Sequence, residues 1–199
     1  VTLVPLDANP IDRVWSDRPP PPCQPVMRHE ERFAGESCAA KRQRLGEAIA
    51  KAGADWLLVT AADSIAWLLN IRGGDVPFNP LCLSHLLLAA DGSVRWFVDR
   101  AKLLPRPEDN ALPVDDAVDI RAYEAIDDEL AELGLAGARV LVDPALNAVG
   151  FAELLRSNGG HVIEGTDPIP TAKACKNETE IEGALNAQRR DGAAMVRFL

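Results

Sequence analysis

His29, His85 and His161 are the side chains best suited to ligate a metal or move a proton near neutral pH, and they lie far apart in the chain. None stands in an H-x-H or H-E-x-x-H pattern, so a shared metal site would need the fold to gather them. His29, beside Glu30 and Glu31, reads as an exposed residue approaching a helix. His85 reads as a strand-edge residue, and His161, after Gly159-Gly160, as the start of a strand. Asp115-Asp116 and Asp127-Asp128-Glu129 lack the alternating ligands and glycine of a calcium loop, and are expected on solvated loop and helix faces. Ser64 and Ser84 fall outside G-x-S-x-G, which removes the sequence support for a nucleophile elbow. Gly73-Gly74 matches neither phosphate-binding glycine pattern, and Gly134-Leu135-Ala136-Gly137 joins a helix to a strand, the wrong polarity for a phosphate loop.

Arg72, Asp75 and Asn79 form the tightest cluster of polar chemistry, within Asn70-Ile71-Arg72-Gly73-Gly74-Asp75-Val76-Pro77-Phe78-Asn79-Pro80. A planar guanidinium near a domain edge can hold a carboxylate or pin a neighbouring domain. Two readings stay open. Either Arg72 pairs locally with Asp75 while Asn79 caps the turn before Pro80, or the three serve an interdomain or substrate-cleft role. The two glycines would allow a tight strand exit beside Arg72.

The elements that must carry these residues alternate between helix and strand. Ser37 can cap a helix running from Cys38 to Ala52, with Gly53 as its stop. Trp56 to Thr60 reads as a buried strand, and Asp63 or Ser64 can cap the short helix that holds Trp67. Leu86 to Ala90, the turn Asp91-Gly92-Ser93, and Val94 to Val98 form the clearest hairpin. Val118 to Tyr123 alternates as a strand, Glu124 to Leu133 is an amphipathic helix, and Arg139 to Asp143 is a strand. A helix over residues 148–158 and a strand over residues 161–164 follow. Strand–helix–strand units imply parallel pairs with helices on the faces, while the hairpin adds an antiparallel pair. The fold class is therefore α/β, a mixed sheet flanked by helices. Pro168-Ile169-Pro170 reads as a break. Beyond it, Glu178 to Leu199 forms a long helix with a stripe of Ile181, Leu185, Met195 and Leu199.

The formal charge of −9 argues against nucleic-acid and anionic-membrane partners, which require clustered cations. The basic run Lys41-Arg42-Gln43-Arg44 is expected on a solvated helix face, with a phosphate site as the competing reading. No apolar run approaches the roughly 20 residues that span a bilayer. Cys23, Cys38, Cys82 and Cys175 are irregularly spaced and contain no C-x-x-C pair, as expected of reduced thiols in a cytoplasmic protein. The start at Val1, with no basic-then-apolar leader, suggests a piece of a longer polypeptide. Four prolines at 19–22 favour a stiff, extended spacer.

Residues 64–80, from Ser64-Ile65-Ala66-Trp67 through Arg72-Gly73-Gly74-Asp75 to Asn79-Pro80, resemble the middle-domain signature of three-domain Xaa-Pro aminopeptidases, members of the creatinase/prolidase-like metallopeptidases. Asp12-Arg13-Val14-Trp15-Ser16-Asp17-Arg18-Pro19 resembles that family's linker, and Lys173 to Leu199 resembles the start of its catalytic domain. The resemblance implies three segments: residues 1–26 as interdomain linker and tail of a preceding domain, residues 27–170 as a non-catalytic α/β middle domain, and residues 171–199 as the first helix of a truncated catalytic domain. It implies a creatinase N-terminal-domain-like, ribonuclease H-like fold. It also implies a parent enzyme that releases the residue before proline from a peptide with proline at its second position. Two divalent ions, usually manganese, would activate the attacking water there. Two aspartates, one histidine and two glutamates would hold those ions, and none of these positions maps onto this chain. No catalytic or metal-binding residue is therefore expected here, and the role expected of the chain is to position domains or shape the cleft. The apolar stripe on the last helix suggests a homodimer or helix swap. The alternatives are a creatinase- or prolidase-like relative with another substrate, and a free-standing α/β binding module.

Overall fold

A computed structural model describes residues 4, 6, 8–104 and 111–199. Part of the expected tail, at residues 1–3, 5 and 7, lies outside the described residues. Asn9 caps a single 3-10 turn, Pro10–Arg13, and the proline run that follows is exposed without regular structure. At the end of the expected spacer, Val26 is buried and its amide donates to the Lys102 carbonyl.

From there the chain forms β1 (Met27–Arg28), α1 (Glu31–Ala34), α2 (Cys38–Lys51), β2 (Trp56–Val59), α3 (Ala62–Leu68) and β3 (Ile71–Arg72). The hairpin follows as β4 (His85–Ala89) and β5 (Val94–Phe97), then β6 (Val118–Arg121), α4 (Ile126–Leu135), β7 (Arg139–Val142), α5 (Val149–Ser157) and β8 (His161–Glu164). Two helices end the chain, α6 (Pro168–Ala174) and α7 (Glu178–Phe198). The described residues build a six-stranded sheet in the order β6-β5-β4-β2-β7-β8, with a two-stranded ribbon of β1 and β3 beside it. β5 and β6 are parallel, as are β2–β7 and β7–β8, while β4 runs antiparallel to both neighbours. This is the mixed sheet that the alternation of elements predicts.

Strand side chains alternate between faces, so the sheet feeds two apolar layers. On one face Leu57, Val59, Leu86, Leu88 and Trp96 pack against Leu45 and Ile49 of α2, Ile65 and Leu68 of α3, and Ile169 of α6. On the other, Leu58, Leu87, Phe97, Val140 and Val142 meet Ile126, Leu130 and Leu133 of α4 with Ala152 and Leu155 of α5. Each fully buried aliphatic side chain contributes about 1.5–3 kcal/mol, which makes these layers the main source of stability.

Four sequence expectations are corrected here. The run at 41–44 is a solvated face only at Gln43 and Arg44: Lys41 and Arg42 are 1% and 6% exposed, because positions 41, 42, 45, 46 and 49 share the inward stripe of α2. Glu129 of the acidic run is buried and ion-paired with Arg95, since it follows Ile126 by three residues on the inner face of α4. α3 starts before the expected caps, at Ala62 with Ala61 in the cap position, leaving Asp63 in the first turn to pair with Lys173. Pro168-Ile169-Pro170 opens α6 instead of ending a layer. Asp167 accepts from the Ile169 amide at 2.8 Å, and the amide that proline lacks has no helical partner in a first turn.

Candidate functional site

The ribbon of β1 and β3 pairs Met27 with Arg72 and Arg28 with Ile71, which places Arg72 beside the segment leading into α1. Gly73 leaves that ribbon under tight constraint, since a Cβ there would stand 2.9 Å from Cys82 Cα. The expected Arg72–Asp75 pair does not form. Asp75 is buried; one carboxylate oxygen accepts from the Gln24 amide, and the other from the Leu83 amide and Lys102 Nζ at 2.8 Å each. The Lys102 ammonium and those amides hold its carboxyl below the ordinary range against the opposing effect of burial. Asp75 thus ties the end of the spacer, the 73–83 loop and Lys102 together.

Asn79 shapes its turn through the backbone: its amide donates to the Val76 carbonyl at 3.1 Å, and its carbonyl accepts from Leu81. The tip presents Phe78 fully to solvent at φ +61°, a left-handed conformation uncommon for an aromatic residue. Arg72, Asp75 and Asn79 therefore share one loop but point to three different tasks.

Arg72 faces a groove of about 820 Å³ between the α1–β3 side of the domain and the N-terminal half of α7. Its Nη1 donates to the carbonyls of Ile71 at 2.8 Å and Ala66 at 3.4 Å. His29 stacks on Phe33 along one wall, and burial with the nearby Arg72 charge holds its imidazole below the ordinary histidine range. Lys176, Glu180, Glu182, Arg189 and Arg190 come from the other wall.

The groove keeps its shape because the start of α7 is clamped. Asn177 and Glu180 form a reciprocal capping box, and Asn177 Nδ2 reaches the Ala34 carbonyl at the end of α1. Gly35 ends α1 at φ +69°, where a Cβ would collide with the Asn177 side chain. Glu180 Oε1 also accepts from Trp67 Nε1 at 3.3 Å. Behind Trp67 lies Lys41, whose Nζ is 4.2 Å from the ring centroid and donates to the Trp67 carbonyl and Asn70 Oδ1. Burial lowers the Lys41 pKa from its ordinary value. Sequence reading passed over this chain of contacts. Its one legible signal was the spacing of Asn177 and Glu180; Lys41 and Trp67 meet across 26 residues with no local pattern.

The histidines stay apart in role. His85 opens β4 between the rings of Tyr123 and Phe151, its imidazole pKa lowered by burial, and His161 opens β8. Among the described residues, no group of three or more His, Cys, Asp or Glu could hold a metal ion. A di-nuclear centre does not fit the donors among the described residues.

The comparisons with known proteins agree with this geometry. Residues 17–180 match the model of the creatinase/prolidase N-terminal domain. Xaa-Pro aminopeptidase 1 from Dictyostelium discoideum is 35% identical over 170 residues, covering 85% of this chain and 26% of its own length. Aminopeptidase P2 from Arabidopsis thaliana is 29% identical over 96% of this chain and 31% of its own. The crystal structure of X-prolyl aminopeptidase from Caenorhabditis elegans, described as a cytosolic enzyme with a di-nuclear active site, superposes with a TM-score of 0.82 at 28% identity. That match covers 98% of this chain and 32% of the other. The chain thus spans about a quarter to a third of the length of these relatives. With the six-stranded mixed sheet, the ordered 73–83 loop and a matched family model over most of its length, the chain belongs to the creatinase/prolidase N-terminal domain family.

Proposed function

We propose that this chain is the linker, middle domain and first catalytic-domain helix of an Xaa-Pro aminopeptidase, and that its own role is positional. The observation that carries this reading is the alignment of 98% of the chain, α7 included, onto an X-prolyl aminopeptidase with a TM-score of 0.82. Residues 1–26 link to a preceding domain, residues 27–170 are the non-catalytic domain, and residues 171–199 begin the catalytic one. Two divalent ions, manganese by the family resemblance, would belong to donors outside this chain, so no chemical step runs through the residues described here. Identity of 35% to an Xaa-Pro aminopeptidase favours that substrate class, peptides with proline at the second position, over a creatinase- or prolidase-like one. A cytosolic location fits the four free cysteines and the cytosolic C. elegans enzyme.

Within this role, Asp75 holds the loop to the domain, Asn79 forms its turn, and Arg72 is the residue free to act at a domain or cleft boundary. The exposed stripe of α7, Ile181, Leu185, Met195 and Leu199, is the surface a catalytic domain would cover; uncovered, it draws two copies together. The test is hydrolysis of Xaa-Pro peptides with added manganese, comparing the 199-residue chain with the complete gene product. Release of the first residue by the complete product alone, abolished by a chelator, is the expected result. Sustained turnover by the 199-residue chain, or none by the complete product, would overturn the reading.

A further inference from the structure

The cation at the floor of the groove lacks the partner its burial calls for. Arg72 is half-buried, and among the described residues no carboxylate lies within ion-pair distance of its guanidinium. The nearest source of negative charge, Glu180, is committed elsewhere: Oε1 to the Trp67 indole and Oε2 to the Asn177 amide. Burial therefore depresses the Arg72 pKa, with Glu180 opposing it only at a distance. A guanidinium presents five donors in a flat fork, and among the described residues only Nη1 is engaged, on backbone carbonyls.

The surroundings select for an anion of limited charge. In a protein of net charge −9, Lys176, Arg189 and Arg190 stand along this one groove without an ion pair among the described residues. Glu180 and Glu182 on the same helix oppose a dianion such as phosphate but tolerate one negative charge facing Arg72. The Phe33 ring, stacked on the His29 imidazole, adds an apolar wall for the body of the ligand. A volume of about 820 Å³ exceeds what a lone carboxylate fills and suits a small molecule or a peptide of a few residues.

We propose that the groove between β3 and α7 is a carboxylate-binding site in which Arg72 supplies the bidentate fork and Lys176, Arg189 and Arg190 the attracting field. The inference deepens the boundary role given to Arg72 above. Its readout is binding by this chain, not hydrolysis, so each of the two readings can fail without the other.

The experiment is a titration of the 199-residue chain at low salt, followed by amide NMR shifts and calorimetry. The probes are the peptide Ala-Ala-Ala, its C-terminal amide, propionate and inorganic phosphate. Saturable binding of the free-acid peptide, with shifts centred on His29, Arg72 and Gly183, is expected, together with loss of binding for the amide. Saturation by propionate as well identifies a general carboxylate site, and saturation by the peptide alone identifies a peptide terminus. Arg72→Lys is expected to weaken binding about tenfold, because an ammonium cannot form the paired contacts. Arg190→Ala should weaken it by about threefold and make its salt dependence shallower, because one screened long-range attraction is lost. Should Arg72→Ala unfold, these two milder variants decide the matter. Equal affinity for acid and amide, preference for phosphate, or unchanged binding by Arg72→Lys and Arg190→Ala would each overturn the proposal.

Discussion

Asp167 shows how one buried carboxyl can impose a pH dependence on the domain. It is 2% exposed, and burial, helped by the nearby Asp143, raises its pKa from 3.8 to about 6 against the bond from the Ile169 amide. The folded state therefore binds this proton more tightly than the unfolded chain does. Its contribution is fully present below about pH 4 and is lost as pH rises through about 6, a change of up to about 3 kcal/mol. Asp167→Asn keeps a side-chain oxygen for the Ile169 amide and removes the titration. Urea unfolding between pH 4 and 7 should show the variant gaining about 1–3 kcal/mol on the parent as pH rises. A constant difference across that range would show that Asp167 does not titrate with folding. Lys41 illustrates the opposite case, a charge kept in the interior by two oxygen acceptors and an indole face.

Among the elements, α7 is attached by polar contacts at its first turn. No residue of this helix is buried, so its attachment rests on Asn177, Glu180 and Trp67 rather than on apolar burial. Asn177→Ala removes the cap of α7 and the bond to the Ala34 carbonyl together. A loss of about 1–2 kcal/mol is expected, confined to local opening. Hydrogen exchange should accelerate at the first turns of α7 while the central strands keep their protection. Uniform acceleration would instead make the cap part of the global fold. The same clamp forms the groove wall, so this variant should also weaken any ligand held opposite Arg72.

At the scale of the whole molecule, the two sheet faces are covered by their helices, while the C-terminal part of α7 displays Met195, Val196, Phe198 and Leu199 to solvent. Apolar surface of this kind associates when nothing covers it. Light scattering over rising concentration should show a growing dimer fraction, and Met195→Glu with Phe198→Glu should return the chain to monomer. A parent chain that stays monomeric at high concentration would refute self-association through this stripe.

Much of this architecture was legible in the order of residues. Ser37 capping α2, the Asp91-Gly92 hairpin and the alternation of helix with strand are local signals, set by backbone preference and by periods of 3.6 and 2. The family motif around Arg72 was equally readable, because its residues are contiguous. The basic run of α2 was misread for a different reason: periodicity gives the buried face, but only tertiary packing supplies the acceptors that let Lys41 lie there. Arg72 and Asp75 stand three apart, yet Lys102 reaches Asp75 from another segment and leaves Arg72 to the groove. The sequence by itself determined the long elements, the cap of α2 and the family, since those follow from neighbours along the chain. Which charges meet, which stay unmatched, and where a cleft opens were decided by segments distant in the chain converging in space, where burial makes each choice of partner energetically decisive.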